Sequence, residues 1–124
     1  MPSTTDGERL MAWARGEVVL IPFPFSDLSA TKTRPVVIVS TPKYHSVRQE
    51  LILVYLTSQI SSPHPEFDYL LADWQTAGLL KPTLMQPRLA IIRSELVQHR
   101  VGRLTRRDLA EVDERLRRVL GLVK

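Results

Sequence analysis

The chain alternates short apolar runs with polar loops, a pattern that predicts a mostly β protein. Residues 18–23 and 35–39 are rich in β-branched and aromatic side chains, which favour strands. Residues 51–57 form a continuous apolar run, typical of a strand that is buried on both faces. Residues 67–72 and 88–97 predict two further strands, the second with a kink or a bulge.

One amphipathic helix is predicted at the C-terminal end. Thr105 is followed three residues later by Asp108, a variant of the capping box, and Gly121 ends the helix. Between these points, apolar residues recur at helical spacing and form one stripe: Leu109, Val112, Leu116, Val119 and Leu120. The stripe predicts that the helix packs on the strands and closes a small, strongly bent β-barrel. A barrel of this size has no internal ligand cavity, so we expect any chemistry on loops and strand ends.

Two glycines and a tryptophan mark the second half of the chain. Residues 73–77 predict a short helix that Gly78 caps, and Gly102 predicts a turn. Trp74 offers a platform for base stacking. Its neighbours Leu70 and Leu71 favour a place in the core instead.

Length and composition predict a single domain. We expect residues 1–15 to be a flexible N-terminal extension and residues 16–124 to form the domain. No apolar run approaches the ~18 residues of a transmembrane helix, and the N-terminus lacks the basic-then-apolar pattern of a secretory signal. The absence of cysteine excludes disulfides and thiolate chemistry. A cytoplasmic protein that does not bind membranes fits these observations best.

The charge is unevenly distributed along the chain. Residues 1–70 carry six Lys or Arg and seven Asp or Glu, whereas residues 71–124 carry eleven and six. A basic surface attracts polyanions, and arginine in particular pairs with phosphate and stacks on bases. Five of the arginines alternate with acidic residues in the predicted helix, which indicates a solvated helix face: Arg106, Arg107, Arg115, Arg117 and Arg118.

The first two predicted strands are joined by a long polar loop, which ends at one cation. Residues 24–33 contain no glycine and exceed the two to five residues of an ordinary hairpin loop, and loops of that length are often functional. Pro35 favours an extended conformation at Arg34 and so holds its guanidinium at the mouth of the second strand. From these residues alone, a rim arginine in a weak surface ion pair is an equally good interpretation.

Several segments in order resemble one protein family. They read GEVVLIPFPFSD, KTRPVVIVS, YLTSQI, DWQTAGLLKPT and VGRLTRRDL. From about residue 16 to residue 122 the chain resembles the MazF/PemK family of toxin endoribonucleases from type II toxin–antitoxin pairs, and in particular its PemK branch. The resemblance implies an SH3-like β-barrel of the CcdB/MazF type with a C-terminal helix. It also implies a two-fold dimer with RNA-binding grooves near the subunit interface.

The resemblance implies two catalytic residues. Arg34 matches the family's catalytic arginine, expected to stabilise the phosphorane and to act as general acid. Thr57 matches the family's strand-end threonine, whose hydroxyl would hold a phosphate oxygen, although a threonine at a strand end is more often structural. RNA contacts are expected at eight further positions: Phe25, Ser26, Asp27, Lys32, Ser58, Gln59, Thr83 and Gln86. The segment PRLAIIR departs from the commoner Arg-Thr-Ile-Asp type of sequence, which leaves the register of residues 87–93 open.

The implied reaction is metal-independent, sequence-selective cleavage of single-stranded RNA to a 2′,3′-cyclic phosphate and a 5′-OH. No cofactor is expected, because the chain contains no HExxH, CxxC, Walker or GxSxG motif. His45, His64 and His99 lie in three different segments, and none falls on a family catalytic position. The implied partners are single-stranded RNA, a second copy of the chain, and a cognate antitoxin with an acidic, largely disordered segment.

Two other functions are compatible with such a barrel. The fold includes toxins that poison DNA gyrase by binding it and that lack the Arg-Pro arginine. A relative that binds RNA without cutting it is the second alternative. The sequence TRPVV, which contains Arg34, favours the nuclease.

Overall fold

The chain forms one antiparallel sheet with two α-helices in the computed structural model, which describes residues 12–22 and 32–122. The strands are β1 (Glu17–Pro22), β2 (Thr33–Ile38), β3 (Glu50–Thr57), β4 (Tyr69–Leu70), β5 (Leu84–Arg93) and β6 (His99–Arg103). The helices are α1 (Pro42–Arg48) and α2 (Arg106–Leu120), and a 3-10 turn spans Ser94–Leu96. The six strands lie in the order β4-β5-β3-β2-β1-β6. The predicted mostly β fold with a C-terminal helix is confirmed.

The central strands are buried on both faces of the sheet. On one face Val18 packs with Val37 and Val54, and α2 covers this cluster through Val112 and Leu116. The other face carries a second buried cluster: Val19, Ile21, Val36, Ile38, Leu51, Leu53 and Ile92. Strands that are buried on both faces need apolar side chains at successive positions, which explains the continuous runs seen in the sequence.

The sheet is curled into a half-barrel, because the segment after β4 touches the far edge strand β6. A Cβ on Gly102 would lie 2.1 Å from the carbonyl oxygen of Ala77, and one on Gly78 would lie 2.5 Å from that of Val101. Gly78 also has a φ of +92°, a conformation that favours glycine. The predicted turn at Gly102 is therefore wrong: this residue lies within β6, where close backbone approach requires glycine.

Helix α1 was not predicted, although its sequence contains a starting signal. The hydroxyl of Thr41 accepts a hydrogen bond from the Tyr44 N–H at 3.3 Å, and Pro42 occupies the first turn. Threonine followed by proline is a favourable helix start, because proline's fixed φ suits the first turn. The helix ends at Gln49, which has a φ of 56°.

Three predicted elements differ from the structure in length or type. Only Tyr69–Leu70 of residues 67–72 pair as a strand. Residues 73–77 form turns rather than a helix, with a hydrogen bond from the Ala77 N–H to the Asp73 carbonyl at 3.1 Å. β5 spans Leu84–Arg93 instead of residues 88–97, and the 3-10 turn follows it directly. Its pairing with β3 does shift, but between Val54 and Tyr55, opposite residues 87–88 at the start of the predicted strand.

The start of α2 has the predicted cap at Thr105, but the Asp108 carboxylate does not complete a capping box and bonds to another segment instead. The Thr105 hydroxyl accepts from the Asp108 N–H, and Gly121 ends the helix with a φ of 74°. The Asp108 carboxylate is fully buried and accepts from the Tyr69 hydroxyl at 2.6 Å and the Ala72 and Asp73 N–H groups at 3.0 and 2.8 Å. Asp108 therefore joins α2 to the segment after β4.

Asp73 forms a second connection between that segment and α2. Its carboxylate accepts hydrogen bonds from Nε and Nη2 of Arg107, each at 2.7 Å, and from the Thr105 hydroxyl at 2.6 Å. These bonds lower the pKa of Asp73 from 3.8 to about 2. Burial, followed by the bond to Asp108, raises the pKa of Tyr69 above its usual 10.0.

A buried histidine connects α1 to the N-terminal end of the described chain. His45 is 4% exposed, and its Nδ1 lies 3.0 Å from the Trp13 carbonyl oxygen while its Nε2 lies 2.6 Å from the Ser40 hydroxyl. A carbonyl only accepts, so Nδ1 carries the hydrogen. The Ser40 hydroxyl accepts from the Ile52 N–H at 2.9 Å and still has its own hydrogen to donate to Nε2, which carries no hydrogen when Nδ1 is the protonated nitrogen of a neutral ring. The imidazole is neutral in this arrangement.

We expect this histidine to make stability depend on pH. Burial lowers the pKa of His45 below 6.5, against the raising effects of its hydrogen bonds and of Glu17. The folded chain then binds fewer protons here than the unfolded chain, so the free energy of unfolding falls as the pH drops from 6.5 towards the folded pKa. Thermal unfolding at about pH 7.5 and about pH 5.5 measures this loss. His64→Gln should keep the wild-type loss, and an equal loss in His45→Gln would contradict the expectation.

Membrane insertion has no support in the helices of the described chain. None of the helices within residues 12–22 and 32–122 is long and apolar enough to cross a membrane.

Candidate active site

An open groove of about 500 Å³ lies where several strands begin or end. Its walls come from β1, β2, β3, β6 and the segment between β4 and β5. The lining residues are Leu20, Thr33, Arg34, Pro35, Leu56, Thr57, Ser58, Gly78, Leu79, Leu80, Lys81, Thr83, His99 and Val101. The groove lining therefore combines apolar side chains with hydroxyl groups and cationic side chains.

Arg34 lies in the groove wall near the start of β2. It is opposite Ile21 in β1, and the next residue, Pro35, is opposite Leu20. The side chain of Arg34 is exposed, while Val36 and Val37 further along the strand are buried. The extended conformation predicted for Arg34 is confirmed, because this residue belongs to β2.

Thr57 reaches the groove from the end of β3, opposite Leu84 in β5. Its hydroxyl accepts a hydrogen bond from the Gln59 N–H at 3.1 Å. Ser58 also lines the groove, whereas the side chain of Gln59 lies outside the lining. The turn after β3 thus brings two adjacent hydroxyl groups to the groove.

The remaining predicted RNA contacts do not all meet in this groove. Thr83 is part of the lining, but it is only 3% exposed and its hydroxyl donates to the Lys81 carbonyl at 2.8 Å. Gln86 is opposite Tyr55 within β5 and is not part of the lining, and neither is Lys32. The predictions at Phe25, Ser26 and Asp27 lie outside the described residues.

The groove lining contains two polar residues that sequence reasoning did not assign to it, His99 and Lys81. Lys81 belongs to the recognised segment DWQTAGLLKPT, which gave a local signal for its position. His99 had no such signal, because its place depends on the pairing of β6 with β1. His64, by contrast, stacks on Phe67 at 5.0 Å between ring centroids and is not part of the lining.

The cations of the groove and those of α2 lie in different parts of the fold. Arg34 and Lys81 are the Arg and Lys residues of the described groove lining. On α2, Arg107 pairs with Asp73, Arg115 with Glu111, and both Arg117 and Arg118 with Glu114. The exposed pairs of Arg107 and Arg117 support the interpretation of a solvated face. Arg115 is an exception, because its side chain is only 16% exposed and packs over the Tyr69 ring at 4.9 Å. Trp74 packs against the core, as its neighbours indicated.

Within residues 12–22 and 32–122, no three His, Cys, Asp or Glu side chains come together as metal ligands would. The chemistry available in the lining is that of a guanidinium, an ammonium, an imidazole and several hydroxyl groups. Cations and hydroxyl donors of this kind suit a phosphate group.

The fold is that of toxin endoribonucleases. An endoribonuclease from a mycobacterial species, solved in complex with its cognate antitoxin, is 18% identical, with a TM-score of 0.72 over 91% of this chain and 99% of that chain. MazF from Deinococcus radiodurans is 20% identical, with a TM-score of 0.69 over 89% and 97%. The Mycobacterium tuberculosis toxin MazF-mt6 is 14% identical, with a TM-score of 0.66 over 87% and 99%. At these identities the similarity establishes the fold.

Sequence comparison establishes the family. No curated protein matches the chain significantly. Residues 14–120 match the model of the PemK-like, MazF-like toxins of type II toxin–antitoxin systems. Because this match spans most of the 124 residues, the chain belongs to that family. The resemblance inferred from the sequence motifs is confirmed.

Proposed function

We propose that this toxin is a sequence-selective, metal-independent endonuclease that cuts single-stranded RNA, including mRNA. The observation that carries the proposal is that Arg34 and Thr57, from two different strands, line one open groove. A groove of about 500 Å³ is within the size range of ordinary ligand sites. Its cations and hydroxyl groups match a phosphodiester, and its apolar side chains match the faces of nucleobases.

In the proposed reaction the ribose 2′-OH attacks the adjacent phosphate and the 5′ oxygen leaves. Arg34 stabilises the negative charge that develops on the phosphorane and supplies a proton to the leaving oxygen. The Thr57 hydroxyl, which accepts from Gln59, has a hydrogen of its own for a non-bridging phosphate oxygen. The products are a 2′,3′-cyclic phosphate and a 5′-OH.

Sequence selection is assigned to side chains around these two residues. Ser58 and Thr83 lie in the same lining, and Lys81 adds a second cation for a flanking phosphate. Six further RNA contacts are proposed from the family resemblance: Phe25, Ser26, Asp27, Lys32, Gln59 and Gln86. Base contacts specify a sequence, whereas phosphate contacts position the strand.

The proposed partners follow from the family and from the charge of the groove. A cognate antitoxin with an acidic, largely disordered segment would meet two cations and no lining carboxylate in the described part of the groove. Opposite charge speeds and steers such an association. The similar mycobacterial endoribonuclease was solved with its antitoxin bound. A homodimer and a cytoplasmic location, where mRNA is available, complete the proposal.

Purified, antitoxin-free protein incubated with a long single-stranded RNA tests this function. Cuts at discrete positions that share a short sequence support a selective endonuclease. A parallel DNA gyrase supercoiling assay tests the alternative of a binding toxin. Intact RNA together with blocked supercoiling would favour that alternative, whereas intact RNA that co-elutes with the protein would favour a non-cutting RNA binder.

A further inference from the structure

We propose that Tyr55 stacks on a nucleobase next to the cleaved phosphate, an inference that rests on the proposed RNA cleavage. Proteins that bind single-stranded RNA commonly hold unstacked bases on aromatic side chains. Tyr55 is not among the RNA contacts that the family resemblance implies, and it is not part of the groove lining. The sheet register nevertheless places it beside the two proposed catalytic residues.

Tyr55, Arg34 and Thr57 lie on the same face of the sheet. Tyr55 in β3 is directly opposite Val36 in β2, so these two residues share a face. Side chains two residues apart on a strand also share a face, which places Arg34 with Val36 and Thr57 with Tyr55. Continued by two residues, the same register sets Arg34 opposite Thr57, roughly 5 Å away across the strands. Tyr55 is about 7 Å from Thr57 along β3.

The groove meets this face of the sheet at Arg34 and Thr57. The neighbouring lining residues Pro35 and Leu56 alternate with them along β2 and β3 and therefore belong to the other face. A phosphate held by Arg34 and Thr57 thus stands at the border between the groove and the face that carries Tyr55. In the proposed arrangement, one flanking nucleotide extends into the groove and the other extends across Tyr55.

This face is closed in its middle and opens to solvent at the end that carries the catalytic pair. In β3, Leu53 is 0% exposed, whereas Tyr55 and Thr57 are half-buried. In β2, Val36 is 1% exposed, whereas Arg34 is exposed. Tyr55 therefore lies at the boundary between the core and the solvent, on the side where the RNA is proposed to bind.

The core holds the Tyr55 ring in place. The ring packs against the buried cluster of this face, which includes Val36 and Leu53. A tyrosine side chain is large and has few rotatable bonds, so it offers contact area at a low cost in conformational entropy. Because the ring is already fixed by the core, a base that stacks on it binds without the further cost of ordering this side chain.

Gln86 gives the same subsite a group that can distinguish bases. It is half-buried in β5 and directly opposite Tyr55, so the amide and the ring are neighbours on one face. An amide both donates and accepts hydrogen bonds and can therefore read the edge of a base that stacks on Tyr55. The family resemblance implies Gln86 as an RNA contact, and the register adds Tyr55 beside it.

Two substitutions at Tyr55 test the stacking. Tyr55→Leu keeps an apolar contact with the buried cluster but removes the aromatic face, whereas Tyr55→Phe keeps that face and removes the hydroxyl. Tyr44→Leu is a matched control, because Tyr44 is also half-buried but lies in α1, with its hydroxyl 3.1 Å from Glu50 at the other end of β3. Circular dichroism checks that each variant folds.

The affinity of each variant is measured for a short RNA that contains the wild-type cut site with a single 2′-deoxy residue there, which removes the proposed nucleophile. Tyr55→Leu should bind this RNA at least about tenfold more weakly than wild type, because stacking on an aromatic side chain accounts for that much affinity per base. Its kcat/KM for the cleavable RNA should fall by a similar factor. Tyr55→Phe and Tyr44→Leu should stay within about threefold of wild type in both measurements.

An abasic residue, placed in turn at the nucleotides on each side of the cut, locates the stacked base. At one position the missing base should weaken binding at least about tenfold for wild type and Tyr55→Phe, but no more than about twofold for Tyr55→Leu, whose aromatic face is already gone. A purely structural effect of the substitution would leave the abasic losses equal in wild type and Tyr55→Leu.

The outcomes separate the inference from the proposed function. A wild type that leaves the cleavable RNA intact overturns the nuclease proposal and this inference with it. An active wild type whose affinity no abasic residue beside the cut lowers overturns only the stacking, and this measurement needs no variant. A folded Tyr55→Leu with wild-type affinity, or equal abasic losses in wild type and Tyr55→Leu, overturns the stacking as well. So does a Tyr55→Phe that binds as weakly as Tyr55→Leu, because the effect then belongs to the hydroxyl.

Discussion

Replacing Arg34 with alanine is expected to slow RNA cleavage at least about 100-fold while the chain still folds. The removal of one preorganised donor to a developing oxyanion typically costs about 10²–10³ in rate. Arg34 is exposed near the start of β2, so the buried residues of the strand, from Val36 onward, keep their packing. Cleavage of a defined RNA by protein with unchanged circular dichroism measures the effect.

Two further variants separate charge from geometry. Arg34→Lys keeps one positive charge but loses the planar pair of donors, and we expect it to recover only part of the rate. Lys81→Ala removes the other cation of the groove and should weaken RNA binding more than the chemical step, with a smaller salt dependence. An Arg34→Ala variant with wild-type cleavage or full toxicity would refute the assigned role.

Replacing Asp108 with alanine is expected to lower the free energy of unfolding by about 3–5 kcal/mol. Its carboxylate is 0% exposed and accepts from Tyr69, Ala72 and Asp73. Without the carboxylate, two backbone N–H groups and a phenol lose the acceptor of three partly buried hydrogen bonds. Alanine favours helices, so the loss would not come from helix propensity. Small domains have about 5–15 kcal/mol in total, so this change removes a large share.

Urea unfolding of Asp108→Ala beside Glu114→Ala measures the predicted loss. Glu114 lies on the same helix and pairs with Arg117 at 3.3 Å and with Arg118 at 3.4 Å, all at the surface. Surface pairs of this kind contribute about 0–1 kcal/mol. Equal unfolding free energies for the two variants would show that the buried carboxylate does not have the stabilising role assigned to it.

The strands and the last helix were predictable because their signals are local. Residues 18–23 have the β-branched and aromatic composition of a strand, and residues 51–57 are a continuous apolar run typical of a strand buried on both faces. The last helix has a cap, a stripe and a terminating glycine in order. The short elements were less predictable. Residues 67–72 have strand composition, yet only Tyr69 and Leu70 find a partner in β5. Pairing depends on the neighbouring strand, which periodicity does not reveal.

Long-range contacts account for what the sequence did not predict. Gly102 looks like a turn residue in the sequence, but glycine is needed there because the carbonyl of Ala77, far away in the chain, lies too close for a Cβ. Asp108 resembles a helix cap, but its partners lie beyond β4. His99 lies in the groove lining because β6 pairs with β1. Arg34 and Thr57 were named from family motifs, and their presence in one groove is a result of the fold.

The chemistry of the RNA ends that antitoxin-free protein produces in excess EDTA tests the proposed cleavage most directly. We expect discrete fragments with 5′-OH and 2′,3′-cyclic phosphate ends, because the ribose 2′-OH is the proposed nucleophile and no metal is required. Intact RNA from a folded protein, or fragments with 5′-phosphate ends, would contradict it.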